Sequence, residues 1–227
     1  MSASIDLQPI RLPIASVSDR KIVAGRGKCV GATVFDDGEG CERVVLAESA
    51  EEMTCHLCLA AAPDTRSMRE QVRIVWEDAE GRTRTHYLDL VVLQRDGRRV
   101  GYSIKPAAKI DEAFLREMAE VGAHAVATNV VDDLRVLSAA DFDPVTQWNA
   151  RFLHAVREPD AEADLPAREA VRGLDGTSTL GALADRIGMQ GRGFRALVRL
   201  VRSGVLGLSD HVRLTHAAAV FLQEDLR

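Results

Sequence analysis

Apolar residues change their spacing several times along this chain, and each change predicts an element. Residues 1–45 show no clear periodicity and hold the turn-rich run Phe35-Asp36-Asp37-Gly38-Glu39-Gly40, so they are expected to form an irregular arm with at most one short strand pair. From 48 to 61, Met53, Leu57 and Ala60 recur at helical spacing, Glu48, Glu52 and Leu59 fall on a neighbouring face, and Pro63-Asp64 ends the helix. Residues 71–76, 85–93 and 100–105 read as three strands. Their turns are Asp78-Ala79-Glu80-Gly81 and Arg95-Asp96-Gly97-Arg98, the second carrying an Asp-Gly hairpin signal. Phe114, Met118 and Val121 predict a helix over 111–121, and 123–128 and 134–137 read as further strands, which implies a crossover back onto the same sheet. Residues 148–156 close this region as a helix.

Beyond it the pattern shifts. Residues 157–173 are rich in acids and Ala, contain Pro159 and Pro166, and read as a linker. Leu180, Leu183, Ala184 and Ile187 then predict a short amphipathic helix broken by Gly188. Phe194, Leu197, Val198, Leu200 and Val201 predict a second helix, capped by Gly204. Val205-Leu206-Gly207-Leu208 and Val212-Arg213-Leu214 suggest a two-stranded wing, which completes a winged helix-turn-helix. The expected organisation is a basic arm (1–45), an α/β domain with a mixed sheet flanked by helices (46–156), a linker (157–173) and a small winged-helix-like domain (174–227).

Composition narrows this picture. The hydrophobic share of 46% supports a real core, while 4% aromatic residues leave its packing to Leu, Val, Ile and Ala. A net charge of −5 argues against a generally basic nucleic-acid coat, so any contact with DNA must use local patches. Such patches exist: residues 186–213 carry six arginines against the single acid Asp210, and Arg11, Arg20, Lys21, Arg26 and Lys28 make the arm basic. No stretch approaches the ~18 apolar residues of a membrane helix, and residues 1–12 lack a signal-peptide core, so a soluble, cytoplasmic chain with no membrane partner is expected.

Four cysteines, Cys29, Cys41, Cys55 and Cys58, then read as thiols rather than disulfides. Cys55-His56-Leu57-Cys58 matches no common structural zinc spacing, and zinc is not expected. Gly25-Arg26-Gly27 and Gly191-Arg192-Gly193 lack the context of a phosphate loop, so no nucleotide site is inferred.

The candidate chemistry centres on Asp89 and Lys105, an acid and a lysine near the ends of neighbouring strands, with helix acids Glu48, Glu51 and Glu52 nearby in order. Singly, Asp89 reads as a strand-end cap, Lys105 as a solvated charge, and Glu48 and Glu51 as acids favoured by a helix N-terminus. Together they suit phosphodiester cleavage: carboxylates hold a divalent cation, and the lysine steadies the attacking water and the charge growing on phosphorus. The backbone carbonyl of Ile104 and, weakly, the Ser103 hydroxyl are further metal-ligand candidates, with Gln71 and His86 in supporting roles. Arg192, Arg195, Arg199 and Arg202 recur at three to four residues and form a candidate DNA-binding helix face, or a solvated one.

These motifs, in this order, resemble a known family. Ala47-Glu48-Ser49-Ala50-Glu51-Glu52 resembles its Glu-Ser-x-x-Glu run, Glu70-Gln71-Val72 its Glu-Gln-Pro step, His86-Tyr87-Leu88-Asp89 its His-x-Pro-Asp step, and Ser103-Ile104-Lys105-Pro106 its (Glu/Gln)-x-Lys-Pro end. The family is the TnsA-type transposition endonucleases, which belong to the restriction-endonuclease-like nucleases of PD-(D/E)xK pattern. Residues 41–155 resemble its catalytic domain, and 174–227 its C-terminal winged-helix part.

The resemblance implies Glu52, Asp89 and Lys105 as catalytic residues. It implies Mg²⁺, with Mn²⁺ able to substitute, and double-stranded DNA at transposon ends as substrate. It further implies a heteromeric cut-and-paste transposase in which this subunit cleaves the 5′ ends beside an integrase-like transposase subunit and an ATP-dependent transposition regulator. Leu88 replaces the family's proline, and Ser103 replaces an acid or glutamine, a weaker ligand for a hard cation. Three alternatives stay open: a weakened or inactive DNA-binding or docking subunit of the same fold, a restriction or repair nuclease, and a winged-helix regulator.

Overall fold

The computed structural model describes residues 12–22, 30–36, 42–78 and 80–223. They form two compact units, one from residues 12–53, 66–105 and 110–136, the other from 54–65, 106–109 and 137–223.

The first unit holds the sheet that carries the site. Strands β3 (Thr65–Glu77), β4 (Thr83–Gln94), β5 (Arg99–Ile104) and β6 (Asp133–Leu137) lie in the order β3-β4-β5-β6. β4 and β5 pair antiparallel through a tight turn in which Gly97 takes φ +90°, a conformation that favours glycine. Helix α2 (Glu112–Ala127) connects β5 to β6. It buries Met118, Val121 and Ala125 against Val72, Ile74 and Trp76 of β3 and Leu88 of β4.

The periodicity of α2 continues past 121, so residues 123–128 are not a strand as expected. Ala125 falls on the buried stripe and Thr128 closes the helix by donating its N–H to the His124 carbonyl. A second sheet pairs β1 (Gly31–Asp36) with β2 (Glu42–Ala47), the strand pair expected in the arm. The arm also joins β2 directly, since Ile14 donates its N–H to Glu42 at 2.7 Å and accepts from Val44 at 2.9 Å. The expected arm residues 1–11, 23–29 and 37–41, the last holding most of the turn-rich run, lie outside the described residues.

The second unit contains α3 (Pro144–Ala155), α4 (Ala161–Val171), β7 (Thr177–Thr179), α5 (Leu180–Ile187), α6 (Gln190–Arg202), β8 (Leu206–Leu208) and β9 (Ala219–Leu222). Its sheet runs β7-β9-β8, all antiparallel. Two expectations are corrected here.

Residues 157–173 are largely helix rather than linker. Ala163, Ala167 and Val171 recur four apart and enter the core beside Leu180, Leu183, Leu197 and Val198, and the Asp160 carboxylate caps the first turn. Small side chains hide this stripe in composition, yet they let the helix approach closely. Residues 212–214 are not a strand either. Asn149 of α3 takes up their backbone instead, donating to the Val212 carbonyl and accepting from Leu214 N–H, and β8 pairs with β9 further along.

The result is an α/β protein with a mixed sheet flanked by helices. No helix among the described residues is long and apolar enough to cross a membrane.

Gly181 tests the packing of the second unit. Helix propensity alone makes Gly→Ala favourable by up to ~1 kcal/mol. A Cβ there meets the His216 carbonyl oxygen at 2.9 Å and the His216 Cβ at 3.2 Å, however. Overpacking against backbone costs roughly 1–3 kcal/mol, so Gly181→Ala is expected to lower stability, read as a reduced urea midpoint. A raised midpoint rules out the close approach.

Candidate active site

β4 and β5 place the two expected central residues. Leu90 stands opposite Tyr102. One further step in that register sets Asp89 opposite Ser103, on the same sheet face. The Asp89 carboxylate accepts the backbone N–H of Ile104 at 2.6 Å and, more loosely, the Gln71 amide at 3.4 Å. Ile104 thus reaches the carboxylate through its N–H. Lys105 follows the last residue of β5, and its ammonium lies 5.7 Å from the centre of the Phe114 ring.

Gln71 reaches the site because β3 breaks its alternation there. Its φ of +52° is uncommon for a side-chain-bearing residue and costs on the order of 1–3 kcal/mol. The kink lets Glu70, Gln71 and Val72 all be buried between exposed Arg69 and Arg73. The arm braces this kink. Asp19 donates its N–H to the Gln71 carbonyl at 3.1 Å, and its carboxylate takes the Arg73 N–H at 2.9 Å and pairs with Arg69. Ser16 donates to the carboxylate of Glu70, whose second oxygen is buried with no hydrogen-bond partner among the described residues.

Glu52 comes from the first turn of α1 (Ala50–Ala60). Its N–H bonds the Ser49 hydroxyl at 3.1 Å, which in turn donates to Glu52 Oε1 at 3.0 Å, while Oε2 accepts the Glu48 N–H at 2.8 Å. This is a capping arrangement, and the helix dipole favours the negative charge. Glu48, read from sequence as a surface acid, pairs instead with Arg20 of the arm.

The electrostatics tie these groups together. Burial pushes the Asp89 carboxyl up to about 6, and the negative charge of Glu52 pushes the same way. The Ile104 N–H, the Lys105 charge and the Gln71 amide oppose it. Burial, with Lys105 nearby, lowers His86 to about 4, so its ring is neutral at pH 7. Ser103 is 1% exposed, and its hydroxyl has no hydrogen-bond partner among the described residues.

The first unit therefore sets Gln71, Ser103 and Ile104 beside Asp89, with the charges of Glu52 and Lys105 acting on its carboxyl, while His86, three positions along the same strand, is tied to Lys105 alone among these groups. Among the described residues no group of three or more His, Cys, Asp or Glu side chains is placed to hold a metal ion. The groups present suit a magnesium-like cation nonetheless, because Mg²⁺ is commonly held by one or two carboxylates and completes its shell with water and phosphate oxygens. Two carboxylates that repel each other and an orphaned buried hydroxyl are the donors such a cation would satisfy.

The candidate DNA-binding arginines divide into two pairs on α6. Arg192 bonds Asp160 at 2.8 Å and Glu162 at 2.7 Å, and Arg199 bonds Asp164 at 2.6 Å, all acids of the N-terminal region of α4. Arg195 and Arg202 are exposed. Of the cysteines, Cys55 and Cys58 are buried, and burial pushes the Cys58 thiol up to about 11. Cys29, Cys41 and Gly25-Arg26-Gly27 lie outside the described residues.

The residue that sequence reading passed over is Arg20, counted there only as part of a basic arm. Its guanidinium donates twice to Gln71 Oε1, at 3.0 and 2.7 Å, and lies 5.4 Å from the centre of the Tyr87 ring. No periodicity marks a residue in an irregular segment, so nothing local signalled it. Comparison with protein-family models and with curated proteins returned no match for this chain.

Asp89 predicts an inverted pH effect. A carboxyl whose folded pKa is raised supports stability below its ordinary value of 3.8, and that support is lost as pH rises through about 6. A shift of this size corresponds to about 2–3 kcal/mol. Asp89→Asn is therefore expected to stabilise the protein by up to that amount at pH 8, with the gain vanishing near pH 4 in urea titrations. A destabilised variant at pH 8 overturns this account of the carboxylate.

Proposed function

We propose that the Asp89 site is a metal-dependent centre for cleaving phosphodiesters in double-stranded DNA. We further propose that the chain is the nuclease subunit of a TnsA-type cut-and-paste transposase, acting at the 5′ ends of the element. The single observation that carries this reading is the Asp89 carboxylate held on the sheet between the Ile104 N–H and the Gln71 amide, with the charges of Glu52 and Lys105 both acting on it. A structural salt bridge would hold Asp89 ionised; here a buried acid faces a second acid, an arrangement relieved by a cation.

In this reading Asp89 and Glu52 would hold Mg²⁺ or Mn²⁺, which when bound would supply Lewis acidity toward the phosphate and a more acidic water. Asp89 keeps its orientation through the Ile104 N–H and Gln71. Lys105 aligns the attacking water and offsets the negative charge that develops on the phosphoryl oxygens. His86, neutral beside Lys105, leaves the lysine as the cation of that edge.

The second unit supports a DNA-contacting role. Its order of helix, strand, two helices and hairpin, with β7 beside β9, fits a winged helix in which α6 is the recognition helix. Arg195 and Arg202 would reach phosphates or base edges, whereas Arg192 and Arg199 serve the packing of α4. An integrase-like subunit and an ATP-dependent regulator are the partners this reading requires.

A second reading, favoured by the neutral Ser103 hydroxyl opposite Asp89, keeps the fold as a DNA-binding or docking subunit without cleavage. A restriction or repair nuclease uses the same chemistry, because fold alone does not set biological role.

Nicking of supercoiled plasmid, with Mg²⁺ or Mn²⁺ and with or without a candidate partner subunit, separates these readings. Asp89→Ala, Glu52→Ala and Lys105→Ala are each expected to slow nicking by roughly 10²-fold or more. No nicking under any condition, together with no cation binding by calorimetry, rejects the hydrolytic reading. Ser103→Glu is expected to tighten cation binding; unchanged affinity places residue 103 outside the metal's reach.

A further inference from the structure

We propose that Arg20, on the N-terminal arm, is a positioning residue of the Asp89 site, acting through the side-chain amide of Gln71. The proposal rests on the reading of Asp89 as the working carboxylate.

The argument begins with hydrogen-bond chemistry. An arginine guanidinium has donors only, and an ionised carboxylate has acceptors only. Gln71 lies between one of each: Arg20 Nε and Nη2 both meet Oε1, and Nε2 meets Asp89 Oδ1. Rotating the amide by half a turn would set its donors against the guanidinium and its oxygen against the carboxylate. Arg20 therefore determines which end of Gln71 faces Asp89. The amide cannot escape sideways, because Gln71 is fully buried and its backbone is held at φ +52°.

Arg20 is itself fixed from three directions: Gln71, the carboxylate of Glu48 and the face of the Tyr87 ring. Its neighbour Asp19 anchors the arm to the same kink through the Gln71 carbonyl, the Arg73 N–H and Arg69. The arm thus supplies the bonds that hold the kink and, through Arg20, aim its side chain. The other charges acting on Asp89 are Glu52 from α1 and Lys105 after β5. Neither can set the direction of the amide, since neither bonds it.

The test is NMR of the Gln71 side-chain amide in the full chain at one fixed pH, which reads the amide's orientation whether or not DNA is cut. With Arg20 holding Oε1, the Nε2 protons are expected to show NOEs to the Asp89 β-protons and slow exchange with water. Arg20→Ala is expected to remove those NOEs and to raise the amide exchange rate by roughly tenfold, the loss of about one hydrogen bond.

Unchanged NOEs and an unchanged exchange rate of the Gln71 amide in Arg20→Ala overturn the proposal. Should Arg20→Ala not fold, the unmodified chain gives a second measurement: Nε2 protons with NOEs to Arg20 and none to Asp89 reject the assignment. A loss of nicking in Asp89→Ala with an undisturbed Gln71 amide in Arg20→Ala would leave the hydrolytic reading standing and remove the role of Arg20.

Discussion

The Asp89 carboxylate is held across two strands by the Ile104 N–H at 2.6 Å, inside a sheet whose surroundings disfavour its charge. That contact depends on the register of β4 against β5, because a slip of one residue would turn Asp89 to the other face and bring a different N–H to the position. Everything else at the site is arranged around it. The kink in β3 delivers Gln71, the first turn of α1 delivers Glu52, and the end of β5 delivers Lys105. Local strain and local repulsion coincide where the candidate chemistry is, as expected when a site is built at the expense of stability.

The second unit follows a different logic. Its acidic run and its arginine run are far apart in sequence and look like two solvated surfaces. In the fold, Asp160, Glu162 and Asp164 meet Arg192 and Arg199, so half of an apparent nucleic-acid stripe is part of the packing of α4 on α6. Exposed pairs of this kind contribute little individually. Arg199–Asp164 is the more protected, with the arginine side chain 13% exposed, and bears more on orientation. The remaining exposed arginines, Arg195 and Arg202, lie on the outward side of the same helix.

Much of the site was legible in the chain because its parts are local. Asp96-Gly97 forces a hairpin, and the hairpin fixes which residues of β4 and β5 can be neighbours. Ser49 followed by Glu52 is a capping signature that starts α1 where it does. The errors were also physical. Residues 123–128 are rich in alanine and short of the large apolar residues that mark a stripe, so the last turns of α2 read as a strand. Residues 212–214 alternate like a strand, yet Asn149 satisfies their backbone from a helix over sixty positions away.

The sequence by itself determined the β3–β4–β5 meander with its hairpin, the helical spacing of α1, α5 and α6, and the succession Glu52, Asp89, Lys105, because propensity, turn chemistry and periodicity act over a few residues. Only the tertiary structure decided that Gln71 turns inward, that Arg20 orients it, that Glu48 is a partner and not a surface charge, and that the acids of α4 consume two arginines of α6. Those outcomes depend on which donors and acceptors meet across long loops. Burial makes an unmet polar group costly, and that cost, invisible until the chain is folded, selects the pairs.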